Sequence, residues 1–435
     1  MDKEAIINMK KKKLLFMTLL ASSFLVLTSC SLFNDDDIKI HNSYNPPANT
    51  SSEFDPDGVY ANGVKGKRIE EVQNAYCFKN VGYDTNGKIA NTYKTGAVNE
   101  NVFNVNQGED YSADKNSNNY DLYIPDSVSK NDKHLVLLFI HGGAWVSGFK
   151  TDVNPYVYEF ANKGYITATI KYTLMNREMN DNTLSLFRDL DEIDACIKSI
   201  KNVLDNLGYD TSKTNLAIGG ASSGAHLAML YAYSRGANCS LPIKFVVNAV
   251  GPVDIKPENW KSFADASDAN SDDALTYTSI EAKRAASELN DLGIAGESND
   301  WNAYQTMRIA NGMCGIPYSL ADIASSSSDQ VNIDNPNAAS NAMTKVNGGE
   351  DQLSVTHYIS ASNKIPMICA YGGQDSVVGI AQYAKLENAL NTYGVEKYFV
   401  YFKDSDHIEI TDKKNHTAYQ DFVNKISEWC ESKNN

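Results

Sequence analysis

The chain has 435 residues and a formal net charge of −15, with 54 acidic and 39 basic residues. An acidic protein of this kind is a poor binder of nucleic acid and other polyanions, so we expect no nucleic-acid partner. The length is long for one domain but fits an α/β domain that carries an insertion.

The first segment has the features of an export signal. The lysine cluster Lys10–Lys13 precedes the apolar run Leu14–Leu27, which is shorter than the roughly 20 residues that a membrane-spanning helix needs. The run ends in Leu27-Thr-Ser-Cys30, which resembles the lipobox of bacterial lipoproteins. We therefore expect residues 1–29 to be a lipoprotein signal peptide and Cys30 to be lipidated. The mature protein would then be exported and anchored through its lipid to the membrane of the bacterial cell envelope.

Residues 30–60 are polar, and they include Asp35–Asp37 and a Pro46-Pro47 pair. Such a composition cannot bury a core, so it predicts a flexible tether. The folded domain is expected over residues 61–435.

From about Tyr120 onward, strand-like and helix-like runs alternate. Short apolar or β-branched runs predict strands at Asp121–Pro125, Leu135–Ile140, Tyr165–Tyr172, Asn215–Ile218, Phe245–Val250, Met367–Tyr371 and Tyr398–Phe402. Apolar residues at steps of three and four predict helices at Leu184–Leu207, Gly224–Ser234, Ile380–Tyr393 and Thr417–Glu431. Because the strands lack a polar face and alternate with helices, the expected fold class is α/β, with a mostly parallel sheet covered on both faces.

One long segment interrupts this alternation. Between about Ile255 and Ser354 there is no strand-like run, and the helix-like runs are Ser279–Leu292 and Trp301–Met313. A length of about 100 residues far exceeds an ordinary connection, so we expect a cap inserted beside the sheet. A series of surface connections is the alternative.

The stretch Ile218-Gly-Gly-Ala-Ser-Ser-Gly contains a G-x-S-x-G motif centred on Ser222, which alone has glycine at both −2 and +2. It lies between a predicted strand and a predicted helix. A nucleophile on such a tight turn needs neighbours without side chains, so that its hydroxyl stands above the sheet. Ser222 is therefore the candidate nucleophile, and the alternative is a Gly/Ser-rich turn that only packs a helix on the sheet.

A second glycine-rich motif, His141-Gly-Gly-Ala-Trp145, follows a buried strand upstream. Acyl transfer from a serine requires fixed N–H donors for the developing oxyanion. The backbone N–H groups of Gly143, Ala144 and Ser223 are the candidate donors. We expect Trp145 to pack beneath this turn, and His141 to be a structural hydrogen-bonding residue and not a base.

These two motifs, with Gly251-Pro-Val-Asp254 and Gly372-Gly-Gln-Asp375, resemble those of the α/β-hydrolase family. The most similar branch comprises carboxylesterases with His-Gly-Gly-x-Trp, related to hormone-sensitive lipase and to bacterial feruloyl esterases. The resemblance covers roughly residues 120–432. It implies an α/β-hydrolase fold with a cap, and a triad in the chain order serine, acid, histidine. The chain departs from the branch in its large insertion and in Lys171–Leu174, where relatives commonly have Tyr-Arg.

In that order, Asp375 at a predicted strand end is the candidate acid, and Asp254 at another strand end is its rival. His407 follows the last predicted strand and is the candidate base. Asp404 and Asp406 lie just before it in the sequence and would favour its charged form if they lie close in space. The weaker histidine candidates are His226, expected to be packed on the nucleophile helix, His357 and His416.

The expected reaction is two-step hydrolysis of a small or carbohydrate-linked carboxylic ester through an acyl-enzyme, without a metal or an organic cofactor. No Cys/His spacing suits zinc. Three alternatives stay open: an arylformamidase, a prolyl-oligopeptidase-like peptidase, and a non-catalytic binding protein of the same fold. The chain carries no amino-terminal propeller repeat, which weakens the peptidase alternative.

Overall fold

The computed structural model describes residues 58–84, 89, 118–143, 145, 148–174, 186–254, 350–375, 377–403, 405–407 and 416–434. The expected signal peptide, Cys30, nearly all of the expected tether, most of the expected cap and Ala144 lie outside the described residues. None of the described helices is long and apolar enough to cross a membrane.

Eleven strands occur in the described residues, and nine of them form one central sheet. Strands β1 (Tyr60–Ala61) and β2 (Val64–Lys65) form a separate pair. The central sheet contains β3 (Lys67–Ile69), β4 (Val72–Gly82), β5 (Asn119–Pro125), β6 (His134–Ile140), β7 (Ile166–Ile170), β8 (Thr214–Ala221), β9 (Ile243–Ala249), β10 (Met367–Gly372) and β11 (Lys397–Phe402).

The strands of the central sheet lie in the order β11-β10-β9-β8-β6-β7-β5-β4-β3. The six from β11 to β7 run parallel, and β5, β4 and β3 each pair antiparallel with their neighbours. The prediction of a mostly parallel sheet is therefore confirmed. Because parallel strands end at the same edge of a sheet, the segments that follow β6, β8, β10 and β11 meet there.

Helices cover both faces of the sheet. The described helices are α1 (Asn154–Asn162), α2 (Leu186–Asn206), α3 (Ser223–Arg235), α4 (Val355–Tyr358), α5 (Ile380–Tyr393) and α6 (His416–Ser432). Alternate residues of β6 belong to two separate buried clusters: Leu138 packs with α2, α3 and α5, whereas Leu137 packs with α1 and α6. Successive strand side chains point to opposite faces, so each cluster fills one side of the sheet.

Sequence patterns did not predict β1 to β4, α1 and α4, and β4 and α1 show the reasons. Strand β4 has 11 residues and pairs with β5, yet it carries Gln73, Asn74 and Lys79 among its apolar residues. Antiparallel strands near a sheet edge tolerate such polar positions, which obscures the pattern. Helix α1 has only nine residues and begins at Asn154-Pro155, which reads as a turn although proline is favoured in the first helical turn.

Candidate active site

Ser222 lies on the turn between β8 and α3, with φ of 53° and ψ of −124°. A positive φ is uncommon for a residue other than glycine and persists only where the surroundings hold it. Its N–H donates to the carbonyl oxygen of Ala249 at 2.8 Å, and its own carbonyl oxygen accepts from the N–H of His226 at 3.0 Å. Hydrogen bonds on both sides therefore fix the strained turn that G-x-S-x-G predicts.

The two glycines of the motif are required by close packing. A methyl group at Gly220 would lie 2.5 Å from the carbonyl oxygen of Ile140, and one at Gly224 would overlap the carbonyl oxygens of Ile140 and His141. Helix α3 therefore begins directly against the end of β6. Any larger side chain at either position would push the turn that carries Ser222 away from the sheet.

Asp375 and His407 come from neighbouring strand ends and meet Ser222. The Oγ of Ser222 lies 2.9 Å from Nε2 of His407, and Nδ1 of the same imidazole lies 2.8 Å from Oδ2 of Asp375. The Asp375 carboxylate is buried, and its Oδ1 accepts from the N–H groups of Val377 at 2.9 Å and Val378 at 2.8 Å. Since a carboxylate only accepts, Nδ1 carries the proton and Nε2 is left to accept from the serine hydroxyl.

The glycines before Asp375 let the histidine-bearing segment pack on the acid-bearing strand. A methyl group at Gly372 would lie 2.6 Å from the carbonyl oxygen of Ser405 and 2.8 Å from that of Asp406. The N–H of Gln374 donates to the same Ser405 oxygen at 2.9 Å. The G-G-Q-D stretch thus sets both the acid and the position of His407.

Charges around His407 stabilise its protonated form. Burial lowers the pKa of His407, but the charge of Asp375, the hydrogen bond to it and the charge of Asp406 together raise that pKa above the usual 6.5. Asp404, the other aspartate just before His407, lies outside the described residues.

We expect ester turnover to fall on acidification, because His407 must be neutral to accept the proton of Ser222. Since the pKa is raised, the fall begins at a higher pH than for an unperturbed histidine. Asp406→Asn removes one of the raising charges, so the acidic limb of kcat/KM should move to lower pH. Asp421→Asn is the matched control, because that carboxylate accepts from Tyr398 instead. An acidic limb that stays in place in Asp406→Asn would contradict the assigned cause.

The turn after β6 lies against Ser222. A methyl group at Gly142 would be 2.9 Å from the carbonyl oxygen of Ala221 and 3.2 Å from Cβ of Ser222. Gly143 follows with φ of 115°, a conformation that only glycine adopts readily. Ser223 is the first residue of α3, and the first N–H groups of a helix have no acceptor within it. Of the three predicted oxyanion donors, Gly143 therefore belongs to this turn, Ser223 follows Ser222 at the start of α3, and Ala144 lies outside the described residues.

His141 has the structural role that the sequence predicts. Its Nδ1 lies 2.8 Å from the carbonyl oxygen of Gly142, and its ring stacks on Tyr172 with centroids 4.3 Å apart. Burial lowers the pKa of His141 to about 4. The imidazole is therefore neutral at physiological pH and supports the turn.

Trp145 and His226 pack together under the same turn. Both are buried, and their rings meet edge to face with centroids 5.3 Å apart. Nε2 of His226 lies 2.8 Å from the carbonyl oxygen of Leu353. Burial lowers the pKa of His226 to about 4, so this histidine is also a packed, neutral residue.

The rival acid Asp254 is engaged elsewhere. Its Oδ2 forms an ion pair with Lys385 at 3.0 Å, and its Oδ1 accepts from the hydroxyl of Ser354 at 3.2 Å.

The two remaining histidine candidates lie on other helices. His357 is exposed on α4 with its ring against Tyr358, and His416 is the first residue of α6. The carboxylate at His407 is that of Asp375.

The family model named BD-FAE, an esterase family related to hormone-sensitive lipase, matches residues 120–292. This match covers less than half of the chain. The matched segment includes the His141 turn and Ser222, whereas Asp375 and His407 lie beyond it. The match to this esterase family, in a chain with the α/β-hydrolase fold, identifies the protein as a carboxylic ester hydrolase.

Three solved esterase structures also resemble this chain. Esterase B from Lactobacillus rhamnosis is 14% identical with a TM-score of 0.47, over 83% of this chain and 90% of that one. A bacterial heroin esterase is 15% identical with a TM-score of 0.47, over 73% and 80%. A truncated carbohydrate esterase from gut microbiota is 15% identical with a TM-score of 0.48, over 84% and 100%. No curated protein gives a significant match, and these distant structures carry no conclusion about substrate.

Among the described residues, no group of three or more His, Cys, Asp or Glu side chains is arranged to hold a metal ion. The groups that the described structure brings into contact are the Ser222 hydroxyl, the His407 imidazole and the Asp375 carboxylate.

Proposed function

We propose that this protein hydrolyses small or carbohydrate-linked carboxylic esters with Ser222 as nucleophile, His407 as base and Asp375 as the acid that orients it. The observation that carries the proposal is the continuous hydrogen-bonded path from Ser222 Oγ through His407 to Asp375, with distances of 2.9 and 2.8 Å. The strained serine turn at its start presents the hydroxyl at the edge where the parallel strands end.

The proposed reaction has an acylation half and a deacylation half. Nε2 of His407 takes the hydroxyl proton as Ser222 Oγ bonds to the ester carbon, and the carbonyl electron pair moves to its oxygen. The N–H groups of Gly143, Ala144 and Ser223 are the proposed donors to that oxyanion. The ester C–O bond then breaks, and the alcohol leaves with the proton from His407.

Deacylation repeats these steps with water as the nucleophile. Nε2 of His407 takes a proton from water as the water oxygen bonds to the acyl carbon. The bond to Ser222 breaks, the serine regains the proton, and the carboxylic acid leaves. Asp375 keeps the proton of His407 on Nδ1 and stabilises the charged imidazolium in both halves.

The test is covalent labelling with a fluorophosphonate, followed by intact mass and peptide mapping. We expect one adduct, located on Ser222. Hydrolysis of a short p-nitrophenyl ester should greatly exceed that of an aminoacyl nitroanilide or an N-formyl arylamine. Preferred hydrolysis of the nitroanilide would indicate a peptidase, and that of the N-formyl arylamine an arylformamidase. A folded protein that takes no adduct would instead support a binding protein of this fold. A panel of acylated sugars and simple esters would then define the alcohol group.

We also propose that a lipid on Cys30 holds the enzyme at the bacterial cell envelope. The support is the sequence Leu27-Thr-Ser-Cys30 after a short apolar run. Growth with a radioactive fatty acid tests it, and an unlabelled product would refute the anchor.

A further inference from the structure

A buried lysine stands at the end of the turn that follows β6. Lys150 is only 4% exposed. Its ammonium lies 2.9 Å from Oδ1 of Asp121 on β5, donates to Oδ1 of Asn119 at 2.6 Å and also donates to Oδ1 of Asn80. An ammonium has three N–H donors, so these three acceptors match its full capacity.

The Asp121 carboxylate is held from a second side. Its Oδ2 forms an ion pair with Lys79 on β4 at 3.0 Å, and its Oδ1 accepts from the N–H of Asn80 at 2.8 Å. Burial opposes ionisation, but Lys150, Lys79 and this N–H lower the pKa of Asp121 to about 2. A buried ion pair often stabilises a fold no more than well-packed apolar residues of similar volume would. We therefore consider a role for this cluster in positioning the turn.

Two close packing contacts, at Gly148 and Gly142, link the segment before Lys150 to Ser222. Gly148, two residues before it, packs so closely on the turn that a methyl group there would overlap the carbonyl oxygen of Gly142 and lie 2.6 Å from Nδ1 of His141. Gly142 in turn packs against Ser222. The carbonyl oxygen of Lys150 accepts from the hydroxyl of Thr169 on β7 at 2.7 Å, so both its side chain and its backbone are tied to the sheet.

We infer that Lys150 is a positioning residue for ester hydrolysis: its buried ammonium, bound to Asp121 and Asn119 on β5, holds the His141–Gly143 turn at its working distance from Ser222. The inference rests on the proposed function, because the turn matters only if its N–H groups meet an oxyanion. Lys150 itself touches no substrate.

Lys150→Met and Lys79→Met form a matched pair, because both lysines bind the Asp121 carboxylate. Only Lys150 belongs to the segment that follows the His141–Gly143 turn, whereas Lys79 lies on β4. Both variants are expected to lower Tm. At a temperature where both are folded by circular dichroism, only Lys150→Met should lower kcat for a p-nitrophenyl ester, by roughly 10- to 100-fold, with KM little changed. A loss confined to kcat is expected because the oxyanion exists only in the transition state.

Parental kcat in Lys150→Met, or equal losses in both variants, would overturn the inference. If Lys150→Met does not fold, the polar pair Lys150→Gln and Lys79→Gln is compared in its place, because a glutamine amide can still donate a hydrogen bond inside the protein. The same unequal kcat is expected of this pair, and equal kcat would refute a positioning role. Failure of the proposed function looks different, because the parent would then show no turnover that depends on Ser222.

Discussion

Ser222→Ala is expected to yield a folded protein whose kcat for a p-nitrophenyl ester is lower by several orders of magnitude, roughly 10⁴- to 10⁶-fold. The substitution removes the oxygen that lies 2.9 Å from His407, so no acyl-enzyme can form. The backbone hydrogen bonds to Ala249 and from His226 do not involve that oxygen, so we expect Tm to change little. Steady-state kinetics and thermal melting measure the two quantities.

Ser223→Ala is the matched control for that variant. In the described part of the structure, the buried hydroxyl of Ser223 has no hydrogen-bond partner, and the proposed contribution of this residue is its backbone N–H. Turnover should therefore stay within several-fold of the parent. Near-normal turnover in Ser222→Ala, or a collapse in Ser223→Ala, would reject Ser222 as the nucleophile.

Asp375→Asn is expected to lower kcat by roughly 10³- to 10⁴-fold while leaving the fold intact. The amide oxygen can still accept from Val377 and Val378, so the amide NH₂ is directed at Nδ1 of His407. Nδ1 must then accept, and the ring proton moves to Nε2. The imidazole would present a proton to Ser222 instead of a lone pair, and the base would be lost.

Asp254→Asn separates this effect from the general loss of a buried carboxylate near the sheet edge. Asp254 pairs with Lys385, so its amide variant should lose some stability and little kcat. Comparable kcat losses in the two variants would contradict the assignment of Asp375. A loss confined to Asp254→Asn would transfer the role to the rival acid.

Local patterns in the sequence were sufficient for most of the sheet. Strand β6 contains the continuous apolar run Leu135–Ile140, and the glycine spacing around Ser222 predicts a turn that close backbone packing requires in the structure. Strand β4 was missed because its polar residues interrupt the apolar pattern, and α1 because it is short and begins with Asn154-Pro155. Their burial depends on partners elsewhere in the chain, which a local pattern does not contain.

The site divides in the same way. The order of Ser222, Asp375 and His407 came from motifs and a family resemblance, and the structure places the three side chains in contact. The bond between Ser222 and His407 spans 185 positions, so its geometry and the proton on Nδ1 required the fold. Lys150 was not singled out, because a lysine after a glycine-rich turn suggests a solvated loop. The only signal was an aspartate, Asp121, inside an apolar strand.

The hydrogen bond between Ser354 and Asp254 has a consequence for how this enzyme can be re-engineered. Asp254, which follows β9, and Ser354, which precedes α4, have side-chain oxygens 3.2 Å apart, and the N–H of Val355 donates to the carbonyl oxygen of Val253 at 2.8 Å. These hydrogen bonds hold the two ends of the intervening segment together. In general, doubling the length of a loop adds only about 0.6 kcal/mol of closure entropy. These two residues are thus a natural graft junction, at which a segment of another length or origin can be exchanged while β9 and β10 stay side by side.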